Sequence, residues 1–278
     1  NPIALPGPSA YRPPSFCPTS RPLHRGGHNE REIIHAKRSL QEWLNVDDLQ
    51  GKTFLDIGSG SGLFSLAARE MGAEHVYSLD YDEQSVECTK RISMRETMPH
   101  TGSWTIERGN VLDRTYMKKF YNNYDIVYSW GVLHHTGNMM LALEQAGKCV
   151  KENGLLFISI YNDQGIESKI WTKVKKTYNQ VSDKKKRMLL VLSSLYLYGY
   201  KQTVAILKSS KTKNMKTGRG MNVYTDLVDW VGGYPFEYAT PEKIITFYLN
   251  RGFELKKLMA PGRKYGGCNQ YLFVKKAK

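Results

Sequence analysis

The chain has 278 residues, of which 41% are hydrophobic and 24% charged, and its 40 Lys+Arg against 26 Asp+Glu give a net charge of +14. With 24 Gly and 11 Pro in no repeat and aromatics at 12%, collagen-like, coiled-coil, solenoid and wholly disordered readings are excluded. A chain of this size hides roughly three quarters of its surface on folding, enough for a full enzyme core.

Residues 1–24 contain seven of the prolines, from Pro2 to Pro22, and no continuous apolar run. They read as an extended or disordered arm outside the fold, leaving residues 25–278 as the folded domain. From there the elements alternate. Ile33, Ile34, Leu40, Trp43 and Leu44 recur near helical spacing within residues 30–44. Thr53 to Ile57 is a short apolar strand, and Leu63 to Met71 a helix stopped by Gly72. A second strand, His75 to Asp80, leads to a helix over Glu83 to Arg95; a third strand lies near Trp104 to Glu107. Tyr124 to Trp130 is the fourth strand, followed by a helix from Asn138 to Val150 and a fifth strand from Leu155 to Tyr161. Near the end, Thr240-Pro241 opens a helix that stops near Gly252, and FELKKLMA and NQYLFVKK close the chain as an antiparallel pair. The alternation predicts an α/β, Rossmann-like fold. Its seven-stranded sheet is mostly parallel with an antiparallel last strand and helices on both faces.

Between the fifth strand and the closing elements, residues 166–237 form a basic helical insert. Residues 161 to 220 hold 14 basic side chains and three acidic ones, net +11, so most of the excess charge sits there. Its counterpart is an anionic surface, whether membrane, nucleic acid or substrate. Within it, Met188 to Leu207 has the length to span a bilayer, but its serines, tyrosines and Gly199 make it too polar to do so. It reads as a helix buried as a lid over the active site, or as an interfacial helix flanked by lysines. Cys17, Cys88, Cys149 and Cys268 show neither CxxC nor paired spacing, which favours a reducing, cytoplasmic setting, with peripheral membrane contact through 166–220.

The chemistry sits in Asp56-Ile-Gly58-Ser-Gly60-Ser-Gly62, between the first strand and its helix. Alternate glycines let the backbone turn tightly and approach a ligand, and the following helix offers unpaired N–H groups. Asp80 ends the next strand 18 residues after Gly62, where a carboxylate can accept both hydroxyls of a ribose. A dinucleotide fingerprint, GxGxxG, would put glycine at position 63, where this chain has Leu63. The spacing GxGxG after an acidic residue instead resembles motif I of class I S-adenosylmethionine-dependent methyltransferases.

That resemblance implies a SAM-binding loop of Gly58, Gly60 and Gly62, with Asp56 supporting the cofactor's amino end and Asp80 holding the ribose. Asn110 and Val111 match the family's adenine position, with Asn110 standing where many members have Asp. Ser129 to Thr136 resembles the "VLHH" segment of the family's small-molecule members. It implies Trp130 beside the transferred methyl and His135, or His134, as general base, since an imidazole titrates near neutral pH. As metal ligands the two histidines lack a third partner, so no metal is expected. Tyr161 and Asn162, with Trp230, Tyr234 and Glu237 of the DLVDWVGGYPFE segment, are the candidate acceptor contacts. That segment resembles a stretch of bacterial methyltransferases associated with saccharide or envelope biosynthesis.

The activity implied is methyl transfer to a small-molecule, lipid-linked or saccharide acceptor. The alternatives are an RNA methyltransferase using the basic insert, although no RNA-binding module or NPPY-type tetrad is present, and a noncatalytic SAM-fold protein that binds membranes or a partner.

Overall fold

Apolar strands separated by amphipathic helices pack here into a sheet buried on both faces. The structure is a computed structural model that describes residues 30–94, 102–212, 223–260 and 267–277; the arm 1–24, Cys17 and most of the loop before the last strand lie outside them. Helix α1 (Glu30–Leu44) precedes β1 (Thr53–Ile57), α2 (Leu63–Glu70), β2 (His75–Asp80), α3 (Glu83–Ser93) and β3 (Ser103–Arg108). Then come a one-turn α4 (Arg114–Met117), β4 (Tyr124–Trp130), α5 (Met139–Cys149) and β5 (Val150–Tyr161). Helices α6 (Ile166–Gln180), α7 (Asp183–Thr212) and α8 (Val223–Gly232) lead to α9 (Pro241–Leu249), β6 (Phe253–Met259) and β7 (Cys268–Lys275).

The strands lie in the order β3-β2-β1-β4-β5-β7-β6. Strands β1 to β5 pair in parallel, and β7 runs antiparallel to both neighbours. Leu55, Ile57, Val127 and Leu156 pack on one face, Phe54, Val76, Ile126 and Phe157 on the other, as expected of a parallel sheet covered on both sides. Strand order reverses between β1 and β4, so the loops leaving their carboxyl ends diverge and open the crevice in which such sheets bind ligands.

Two details depart from the expected elements. The α4 turn was not anticipated; four residues are too few for periodicity, and the only cue is Asp113, whose carboxylate accepts from Thr115 and Tyr116 N–H. β5 starts five residues early, at Val150, because Val150 pairs with Tyr124 before the register shifts and Ile126 pairs with Leu155.

The chain divides into two units, Gly165–Phe236 and the sheet-bearing remainder. In the first, α7 breaks at Gly199 (φ 74°, ψ 173°). Leu190, Ser193 and Ser194 are buried, while Met188 (55%), Leu192 (54%) and Tyr196 (68%) are exposed. The expectation of a buried helix is therefore corrected: one side turns inward, where Leu190 lies with Ser193 and Ser194, and the other is exposed. Ser194 donates to Thr203 Oγ1 at 3.0 Å, and Thr203 donates to the Gly199 carbonyl at 2.9 Å, which holds the chain across the break. No helix among the described residues is long and apolar enough to cross a membrane.

Candidate active site

β1 delivers the chain into the glycine loop at the switch point. Gly58 (φ 83°) and Gly60 (φ 56°) occupy left-handed backbone that side chains resist, for different reasons. A Cβ on Gly58 would fall 2.3 Å from Val132 Cγ2, so the loop there presses against the turn after β4. At Gly60 nothing lies within 4 Å of the same position, leaving the backbone open to approach. Gly58 N–H donates to the Leu79 carbonyl at 2.7 Å, and Gly62 N–H to Ser59 at 2.8 Å. The first tethers the loop to β2 and the second tightens it.

The two carboxylates do different work. Asp80, at the end of β2, accepts from Gly60 N–H and Asp82 N–H, each at 2.9 Å. Burial raises its pKa, against those donors, which favour the charged form. It stands half-buried at the end of the strand, and the next residue, Tyr81, is exposed with its ring under Arg108.

Asp56 corrects an expectation. It is 2% exposed, on the same strand face as Phe54. It accepts from Ser65 Oγ at 2.6 Å; Ser65 accepts from Ser78 Oγ at 2.6 Å, and Ser78 from Trp104 Nε1 at 2.8 Å. Burial pushes its carboxyl up to about 7, with the Ser65 hydroxyl opposing and the Asp80 charge adding. Asp56 thus ties α2 to β1 and β2 from beneath the loop instead of offering its carboxylate to a ligand. The relay of Ser65, Ser78 and Trp104 had no local signal in the sequence.

After β3, Asn110 is exposed, and its Oδ1 accepts from Leu112 N–H at 2.9 Å, leaving a second lone pair on that oxygen. Val111 is 6% exposed, and its side chain packs in the core.

The turn after β4 separates the histidines. Trp130 projects from the strand end at 39% exposure. His134 is fully buried, its ring 4.1 Å from that of Tyr161 between centroids, while His135 is half-buried, 5.4 Å from Tyr161 in an edge arrangement. His135 is therefore the more accessible of the two imidazoles. Segment 237–239 clamps this corner: Glu237 N–H donates to the His134 carbonyl at 2.9 Å, and Ala239 N–H to the Tyr161 carbonyl at 3.0 Å. Asn162 Oδ1 accepts from Asn269 Nδ2 of β7 at 3.1 Å.

Two expected acceptor contacts are engaged elsewhere. Glu237 uses both carboxylate oxygens on Met139 N–H, at the start of α5. The Trp230 ring lies under Lys175 Nζ, 3.9 Å from the centroid, and edge-on to Trp171 and Phe236. Tyr234 is half-buried, just before the cis bond to Pro235. Among the described residues, no three His, Cys, Asp or Glu side chains gather as a metal site.

An open glycine backbone at Gly60, a strand-end carboxylate behind it and an exposed Asn110 on the neighbouring loop suit a nucleoside ligand at the switch point. Residues 27–191, more than half of the chain, match the family model described as a methyltransferase domain, Methyltransf_23. The chain belongs to this family. It is a methyltransferase.

This methyltransferase is 47% identical to ribosomal protein L11 methyltransferase of Legionella pneumophila over 57 residues, 20% of each chain. It is 42% identical to that of a Psychrobacter species over 67 residues, 24% of this chain and 22% of the other. It thus spans about a fifth of the length of these curated relatives. Among solved structures, a SAM-dependent methyltransferase from Mesorhizobium loti superposes with a TM-score of 0.51 at 14% identity, over 88% of this chain and 98% of that one. Magnesium protoporphyrin IX methyltransferase from Synechocystis, solved with bound SAH, gives 0.50 at 16%, over 90% and 89%. At these identities the structures share the fold.

Proposed function

We propose that this methyltransferase acts on an oxygen or nitrogen of a small-molecule, lipid-linked or saccharide acceptor, with His135 as general base. The observation that carries this reading is the division between the histidines, one sealed in the protein and the other open at the carboxyl edge of β4. When bound, S-adenosylmethionine supplies a methyl group activated on a sulfonium. Gly58, Gly60 and Gly62 give it a close-fitting backbone wall. Asp80 would hold the ribose and Asn110 Oδ1 the adenine, while Asp56 holds the loop from below. Trp130 would stand beside the methyl. Tyr161 sets the edge against which His135 stands, and His135 would take the acceptor's proton as the methyl carbon leaves the sulfonium sulfur, which departs as a neutral thioether, for the acceptor atom. Because the donor carries the reactive group, the protein mainly positions the nucleophile in line and keeps water out.

The test is an acceptor screen with labelled methyl donor against lipid, glycan, RNA and ribosomal-protein fractions, repeated with His135→Ala. The expected result is label in the lipid or glycan fraction and a turnover loss of about 10²- to 10⁴-fold in the variant, with donor binding by calorimetry unchanged. Unchanged turnover would remove His135 from the role. A second reading, a protein acceptor, is favoured by the similarity to ribosomal protein L11 methyltransferases, and label in the ribosomal-protein fraction would select it.

A further inference from the structure

The pair of helices α6 and α7 leaves large apolar side chains exposed. They run as an antiparallel hairpin: the Tyr196 hydroxyl donates to Glu167 Oε1 at 3.3 Å near one end, and Lys186 Nζ lies 5.9 Å from the Tyr178 ring near the other. The side of α7 that turns inward carries Leu190, Ser193 and Ser194, at 4%, 6% and 0% exposure. The outward side carries Met188, Leu192, Leu195 and Tyr196, exposed by 38–68%. Their spacing of i, i+4, i+7 and i+8 makes them one continuous stripe. On α6, Ile166 (76%) and Ile170 (54%) are exposed one turn apart. Folding alone places leucine inside and serine outside, and a monomer rarely leaves a large contiguous apolar patch in water unless something covers it.

The charges around the stripe identify the cover. Lys184, Lys185 and Arg187 are exposed where the stripe begins, and Lys169, Lys173 and Lys176 are exposed along α6. Residues 161 to 220 carry net +11, so a second copy apposed through this face would meet like charge. Nucleic acid would satisfy the lysines and leave the methionine and leucines uncovered, because phosphate contacts recruit charge. An anionic bilayer satisfies both: the apolar stripe enters the boundary between headgroups and acyl chains, tyrosines sit at headgroup level, and the cations meet lipid phosphates. Since no helix among the described residues is long and apolar enough to cross, the hairpin lies in the plane of the surface.

We propose that the outward face of the α6–α7 hairpin docks this methyltransferase on an anionic membrane. The proposal deepens the lipid-linked reading of the acceptor and is tested apart from it. Full-length protein is sedimented with vesicles of phosphatidylcholine, with and without phosphatidylglycerol, across a salt series. Binding is expected only to the anionic vesicles, weakening as salt is added. Lys184→Gln/Lys185→Gln/Arg187→Gln should weaken it by about a hundredfold, since each cation near such a surface contributes roughly a factor of five. Met188→Ser/Leu192→Ser should remove the salt-resistant part of the binding. Circular dichroism and donor calorimetry on each variant confirm the fold. Absent vesicle binding, equal binding to neutral vesicles, or variants that bind like the parent would overturn the proposal, as would dimerisation or RNA binding lost in Met188→Ser/Leu192→Ser. Methyl transfer that depends on His135 without any vesicle binding would overturn docking alone; vesicle binding with His135-independent turnover would overturn only the catalytic reading.

Discussion

Both carboxylate oxygens of Glu237 lie 3.0 Å from the backbone N–H of Met139, and the backbone N–H of Glu237 donates to the carbonyl of His134. One residue thus caps α5 and grips the histidine turn just before it. A carboxylate at a helix start satisfies an orphan donor and faces the positive end of the helix dipole. Glu237→Ala should lower stability by about 1 kcal/mol and reduce kcat, because Met139, which follows the turn carrying His135, loses its side-chain anchor while the backbone bond to His134 stays. Glu237→Gln keeps an oxygen acceptor and should fall between the two. Thermal unfolding, together with donor affinity measured separately from kcat, checks this. A fall in donor affinity with kcat unchanged would contradict a positioning role.

At Gly58 two constraints coincide. A Cβ would meet Val132 Cγ2 at 2.3 Å, and φ is 83°. Gly58→Ala should cost roughly 1–3 kcal/mol of stability and at least tenfold in donor affinity. Adding Val132→Ala should recover some of the part due to contact, since Val132 Cβ still lies 2.8 Å from the new carbon, and none of the part due to φ. Gly60→Ala, with no neighbour within 4 Å of the new carbon, should cost less stability yet still block the open backbone. Paired unfolding and calorimetry on the three variants separate packing from ligand approach. Equal losses at both glycines would refute the distinction.

Strands β1, β2 and β4 were legible as short, mainly apolar runs, and the loop because its glycine spacing sits between a strand and a helix. What stayed hidden was either short or distant. Asp56 shares a motif with the glycines, but strand alternation puts it on the face of Phe54 and under Ser65, a matter of geometry that residue type does not reveal. Glu237 reaches Met139 across 98 residues, and no local pattern encodes such a contact. In α7 the apolar run was visible, but its direction was not: burial follows which side the serines take, and that is decided by packing across the break at Gly199.

Lys175 offers a pH test of the helical unit. It is fully buried on α6, its ammonium donating to the Trp230 carbonyl and lying 3.9 Å from the Trp230 ring and 4.8 Å from Phe236. The ring faces recover part of the cost of burying a cation, yet burial still lowers the pKa from 10.5 to about 7. Below about pH 7 both folded and unfolded chains hold the proton and the full penalty applies. Between about 7 and 10.5 the unfolded chain binds more protons than the folded one, so stability rises with pH, by at most about 1.4 kcal/mol per unit. Lys175→Met keeps an unbranched side chain without the charge. It should raise the denaturation midpoint at pH 7 and flatten the slope above it. Urea unfolding of both proteins across that window checks the sign: a parent whose stability is level or falls with rising pH, or a methionine variant that is weaker throughout, would show that the buried ammonium is better compensated than its surroundings indicate.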